Sequence, residues 1–264
     1  MSMDLGLRGK RALVTGASYG IGRAIAQGLA EEGVRVAING RNMETLNSAA
    51  REIAESSGSQ AVPIAADVSL PEEVARLVRQ AAESLGGLDI LVNNVPAPVF
   101  GPFLDHDDRD WQRAIDIKLM GYVRSIREAI PHLQRAGGGV IVNNIGSGGR
   151  AYTQNHVAGG STNAALMLIT TGLAHELGPL KIRVVGINAG AVQTSRHESL
   201  LRSRAESEQR EPEEILRETV AGIPTAAIST PEDIANLAVF LASKRARQIN
   251  GTTIQIDGGL LRSV

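Results

Sequence analysis

Short runs of branched aliphatic residues alternate with longer amphipathic runs along the whole chain, and this alternation limits the fold more than any other feature. Strands are predicted at 11–15, 34–39, 60–66, 88–92, 139–143, 182–187 and 252–256. Helices are predicted at 20–32, 44–56, 71–85, 108–134, 155–177 and 231–242. Strands separated by helices cannot pair as hairpins; each helix carries the chain back so that the next strand lies parallel to the last. The strands are apolar on both faces, as burial between two helical layers requires. The expected fold class is therefore α/β with a doubly wound parallel sheet. Across 264 residues no composition break or repeat marks a boundary, so residues 1–264 are read as a single domain. One segment departs from the alternation. Residues at about 195–220 are dense in charges of both signs and contain no strand, which reads either as a solvated helix pair or as a lid over a site.

Composition removes several classes of function. A formal net charge of -1 offers no field for a nucleic-acid backbone, so no nucleic-acid partner is expected. With no cysteine, disulfides, thiolate metal sites and a cysteine nucleophile are all excluded. The five histidines have no paired spacing, and no metal is expected. No apolar stretch of membrane-spanning length is apparent and the first ten residues lack a leader's apolar run, so the expectation is a cytoplasmic protein with no membrane partner.

Residues Thr15-Gly16-Ala17-Ser18-Tyr19-Gly20-Ile21-Gly22 join the first strand to the first helix. Glycines there let the backbone approach a pyrophosphate, and the helix start presents unpaired N–H groups to it. A binder of NAD places an acid at the end of the second strand to receive the ribose 2′-hydroxyl. This chain has Asn39-Gly40-Arg41 instead, and a guanidinium suits a 2′-phosphate, so NADP(H) is the expected cofactor.

With that octapeptide, Asp67-Val68 after strand three, Asn93-Asn94 after strand four, Gly190-Ala191-Val192-Gln193-Thr194 after strand six and a closing Asp257-Gly258-Gly259, the whole chain resembles the short-chain dehydrogenase/reductase family. The resemblance implies a Rossmann-type sheet of seven strands and a homo-oligomer, tetramer or dimer. It implies that Gly16, Ser18, Tyr19, Ile21 and Gly22 line the phosphate site and that Asp67 and Val68 meet the adenine. Asn94 would lie near the riboses, and Val192 and Thr194 would hold the carboxamide. The implied activity is oxidation or reduction of a carbonyl or alcohol on a small-molecule substrate.

The same resemblance implies a serine, a tyrosine with a lysine four residues on, and an asparagine that together manage the proton. Ser147 stands at the serine. Gly159 stands where the tyrosine is expected, Asn163 where the lysine is, and Lys118 where the asparagine is. Val95-Pro96 also replaces an expected alanine and glycine, and Ala189 an expected proline. The lysine and asparagine have changed places, so an ammonium from Lys118 and an amide from Asn163 can serve one network in reversed positions. Alternatively, Lys118 extends to solvent. Tyr152 and His156, in the loop before the helix at 155–177, are the other candidates for the missing proton donor; Tyr122 reads as core or interface. Three readings stay open: an NADP(H)-dependent oxidoreductase, a non-redox lyase or isomerase on the same scaffold, and a cofactor-binding protein without turnover.

Overall fold

Residues 4–262 are described by a computed structural model. Seven strands form one parallel sheet: β1 (Arg11–Val14), β2 (Arg35–Gly40), β3 (Ala61–Ala65), β4 (Ile90–Asn93), β5 (Gly139–Asn144), β6 (Ile182–Ala189) and β7 (Thr253–Ile256), in the spatial order 3-2-1-4-5-6-7. The register is continuous, with Leu13 opposite both Ala37 and Leu91. Between them run α1 (Gly20–Glu31), α2 (Met43–Ser57), α3 (Pro71–Leu85), α4 (Asp108–Ala114), α5 (Gly121–Arg135), α6 (Val157–Leu177), α7 (Ser195–Glu208), α8 (Pro212–Ala221) and α9 (Pro231–Ala242).

Side chains alternate across the sheet with period two. Ala12 and Val14 therefore enter a core with Ile25, Leu29, Leu46 and Val239, under α1, α2 and α9. Leu13 points the other way, into a core with Leu77, Ile126, Leu133 and Leu177, under α3, α5 and α6. Strand order reverses between β1 and β4. The loops leaving their carboxyl ends diverge there and open the crevice where ligands of such sheets bind.

The structure corrects the expected elements in three places. The helix expected at 108–134 is interrupted by a wider π turn, Ile115–Met120, between α4 and α5. The additional residue in that turn rotates Lys118 inward, and Gly121 just after it packs close to Val68, where a Cβ would sit 3.1 Å from Val68 Cγ2. The helix expected from 155 begins at Val157, because Asn155 adopts a left-handed conformation with φ 58°. Val157–Leu180 is also long and apolar enough to cross a membrane by length and composition, contrary to the reading of the bare sequence. Its apolar character has a tertiary explanation: Leu166, Thr170 and Ala174 are buried against the rest of the fold.

The charged segment at about 195–220 is a pair of helices. α7 is capped by Thr194, whose Oγ1 accepts from the His197 amide at 3.2 Å, and ends at Gln209 in a left-handed conformation. Arg210 then ties the turn together by pairing with Glu208 at 3.2 Å and Glu218 at 2.6 Å.

Candidate active site

The glycine-rich loop between β1 and α1 permits close backbone approach. Gly16 and Gly20 have φ of 61° and 57°, accessible to glycine at little cost. A Cβ on Gly22 would collide with the carbonyl oxygen of Gly16. No side chain caps α1 at Tyr19, so its first-turn amides remain available to an anion. Tyr19 is exposed and Thr194 lies above Gly20, which brings the start of α7 over the loop. Ser18 packs against Gly40, and Arg41 is exposed just beyond β2 with no ion pair among the described residues. Asp67 accepts from the Ser69 amide at 2.9 Å and its hydroxyl at 2.7 Å, while Val68 beside it is buried.

A ladder of amides ties the strand ends to this loop. Asn94 donates from Nδ2 to the Gly16 carbonyl at 2.9 Å, and its own amide donates to Thr15 Oγ1 at 3.1 Å. Its Oδ1 accepts from Asn144 Nδ2 at 2.7 Å. One residue earlier, Asn93 donates to Asn143 at 3.0 Å, and Asn143 donates to Thr170 Oγ1 at 3.0 Å. All four asparagines are buried. Asn143 and Asn144 did not stand out in the sequence analysis; the signal was a second Asn-Asn pair ending an apolar strand, as Asn93-Asn94 does.

Lys118 does not reach solvent. It is 3% exposed, and its Nζ donates to the Tyr122 hydroxyl at 2.8 Å and the Asn144 carbonyl at 3.0 Å. Tyr122 is core, as expected, but it also partners this amine, and its hydroxyl donates to the Asn144 carbonyl at 2.7 Å. Burial, helped by the charge of Arg196, lowers the Lys118 pKa to about 7. Burial raises that of Tyr122, which stays protonated. From the opposite side, buried Asn163 on α6 approaches Gly146, two residues beyond Asn144, and its Oδ1 has no partner among the described residues. Lys118 and Asn163 thus converge on the end of β5 from two different helices.

Ser147 opens the short turn Ser147–Gly149 after β5, and its hydroxyl makes no hydrogen bond among the described residues. His156 precedes α6, and its ring lies where a side chain on Gly159 would begin; a Cβ there would overlap the imidazole. Phe100 packs on the same ring at 5.4 Å between centroids. Burial, then Arg196 and Lys118, lowers the His156 pKa to about 4, so the ring is neutral at physiological pH. Tyr152 is 78% exposed and no hydrogen bond holds it among the described residues, so the structure does not gather it with the others. Val192, three residues beyond β6, is buried, and its carbonyl accepts from Thr194 Oγ1 at 3.3 Å.

The sheet has this strand order, a glycine-rich loop at its switch point and polar side chains gathered at the end of β5, and comparison with known proteins gives the family. A family model described as enoyl-(acyl carrier protein) reductase matches residues 16–261. The chain belongs to the short-chain dehydrogenase/reductase family. It is 33% identical over 254 residues to the 3-oxoacyl-[acyl-carrier-protein] reductase FabG of Staphylococcus aureus, spanning 95% of this chain and 98% of that protein. The L-sorbose reductase of Gluconobacter frateurii, solved with NADPH and L-sorbose, superposes with a TM-score of 0.94 at 33% identity, covering 99% of this chain and 100% of that one. A 7α-hydroxysteroid dehydrogenase solved with NADH superposes with a TM-score of 0.90 at 30% identity, covering 100% and 99%. Structures of this fold thus hold either coenzyme, and the chain's own residues must decide between them.

Proposed function

We propose that this short-chain dehydrogenase/reductase is an NADP(H)-dependent oxidoreductase for the carbonyl or alcohol of a small molecule, with a proton-handling site rebuilt around Lys118. One observation carries the reading: a buried lysine amine with no carboxylate partner among the described residues is held between Tyr122 and Asn144 at the carboxyl end of β5. A buried charge is costly, and the lysine–asparagine exchange retains one at this place in the fold.

The glycine cradle at 16–22 and the uncapped start of α1 fit a pyrophosphate, Arg41 is free to receive a 2′-phosphate, and the L-sorbose reductase was solved with NADPH. Bound there, the dinucleotide would supply or take up a hydride at the substrate carbon. The substrate oxygen then gathers negative charge and requires a proton. Ser147, whose hydroxyl has no competing partner among the described residues, orients that oxygen. Lys118 supplies positive charge behind it and holds an exchangeable proton at Nζ near neutral pH, while Asn163 contributes the amide. His156 fills the volume vacated at Gly159 and offers a neutral ring nitrogen; Tyr152 lies too exposed to share this role. Asp67, Val68, Asn94, Val192 and Thr194 complete the dinucleotide site.

The helix pair α7–α8 would serve as a lid, since it starts above Gly20 and reaches across the crevice through Arg196. The proposed assembly is a homo-oligomer, supported by Leu168, a leucine 75% exposed on α6.

Calorimetric titration with NADPH and NADH tests the reading. NADPH should bind at least tenfold tighter, and Arg41→Ala should lose about 1.5–3 kcal/mol for NADPH alone. Equal affinity for both coenzymes overturns the NADP assignment. Product formed from a carbonyl panel at constant coenzyme level overturns the redox reading.

A further inference from the structure

One loop, residues 95–101, organises the space in front of the proposed site. The Val95 carbonyl lies 3.2 Å from the Tyr122 hydroxyl, and the Ala97 carbonyl accepts from Arg196 Nη2 at 2.6 Å. Phe100 packs on His156, and the Gly101 amide donates to the Asn155 carbonyl at 2.7 Å. The loop therefore draws Lys118 (through Tyr122), Arg196 and His156 around one space. Arg196 is near enough to both others to depress their proton affinities.

The charge in that space is one-sided. Among the described residues, no carboxylate pairs with Arg196, Lys118 or His156. Three other arginines of the charged segment pair with acids, Arg202 with Glu198, Arg204 with Glu208, and Arg210 with Glu208 and Glu218, while Arg217 is exposed and donates to the Glu213 carbonyl. Arg196 is half-buried, as Arg204 and Arg210 are, but unlike them it reaches across to the loop at 95–101, with one N–H on the Ala97 carbonyl and no carboxylate partner among the described residues. A half-buried guanidinium without an acid is only partly solvated, and an anionic ligand would offset that loss. Three buried polar atoms at this site, Asn144 Oδ1, His156 Nδ1 and Asn163 Oδ1, have no partner among the described residues.

We propose that the substrate is an oxo acid or hydroxy acid whose carboxylate is received by Arg196 at the start of α7. This rests on the oxidoreductase reading and adds the substrate class. A carboxylate matches the planar fork of one guanidinium. A phosphate dianion would call for a second accessible cation, and Lys118 is buried and engaged with Tyr122 and Asn144. Substrate docking would neutralise Arg196, which already ties the start of α7 to the loop at 95–101, so the anion selects the substrate.

The test uses matched pairs: pyruvate, acetoacetate and levulinate against their methyl esters, with NADPH oxidation as the readout. In parallel, succinate and dimethyl succinate are titrated calorimetrically with and without NADP. Acids should exceed esters about tenfold or more in kcat/KM or in affinity, the loss expected for one charge-assisted pair. Arg196→Gln should erase the preference, Arg196→Lys should retain part of it, and NADPH affinity should stay within about twofold in both. Esters equal to acids overturn the proposal. So does an Arg196→Gln variant that weakens NADPH by the same factor as the acids, because the cation then serves the coenzyme's pyrophosphate. Failure of the protein to bind NADPH overturns the oxidoreductase reading instead, and the coenzyme-free titration still decides for or against the anion site.

Discussion

Replacing Lys118 with methionine should make the protein more stable and less active at once. The amine is 3% exposed, and burial brings its pKa from 10.5 down to about 7. That difference corresponds to roughly 5 kcal/mol of unfavourable free energy for the charged form in the fold. Methionine has similar length and no charge, but it forfeits the bonds to Tyr122 and Asn144, at about 1 kcal/mol each. The tyrosine hydroxyl keeps the Asn144 carbonyl as acceptor, so no buried donor is orphaned. The net gain is about 2–3 kcal/mol below pH 7, or roughly 5–10 °C in Tm for a chain of this size.

The pH dependence gives the more discriminating result. Below pH 7 the lysine is protonated in both folded and unfolded chains, and the full penalty applies. Between pH 7 and 10.5 the unfolded chain binds a proton that the folded one does not, so wild-type stability rises with pH through this group. The advantage of Lys118→Met should therefore shrink by about 3 kcal/mol between pH 6 and pH 9. Urea melts of both proteins at the two pH values, with reductase assays alongside, measure it. A variant less stable than wild type at pH 6, or a gap that does not change with pH, refutes the buried-ammonium argument. Wild-type reduction should also slow as pH rises through about 7, when Lys118 gives up its proton.

Two further substitutions probe the glycines of the site. Gly22→Ala drives a methyl into the Gly16 carbonyl and the Asn94 amide, so it should abolish NADPH binding and cost about 1–3 kcal/mol, measured by calorimetry and urea melts. Gly159→Ala should destabilise despite alanine's better helix propensity, because its Cβ overlaps the His156 ring; the same change in a His156→Ala background should be neutral or stabilising by up to about 1 kcal/mol. A double-mutant cycle showing no coupling would mean the imidazole does not occupy that space.

Much of this protein is determined by residues close together in the chain. The alternation of apolar strands with amphipathic helices settles a parallel sheet covered on both faces, and the glycines at 16–22 settle a phosphate-compatible turn, because both follow from local geometry and short-range patterning. Element limits agree with the sequence reading to within about two residues wherever glycine or proline punctuates, as at Pro71, Gly178 and Pro231. What the tertiary structure alone decided is which polar groups lose water. A lysine inside a helical pattern reads equally as exposed or buried, and only the π turn at Ile115–Met120, with Tyr122 and Asn144 waiting opposite, turns Lys118 inward. Likewise, Arg196 looks like one charge among many in a solvated segment until Ala97, 99 residues away in the chain, supplies the carbonyl that draws it in. Desolvation, and the pKa change that comes with it, depends on packing between segments far apart in sequence, and no local pattern encodes that.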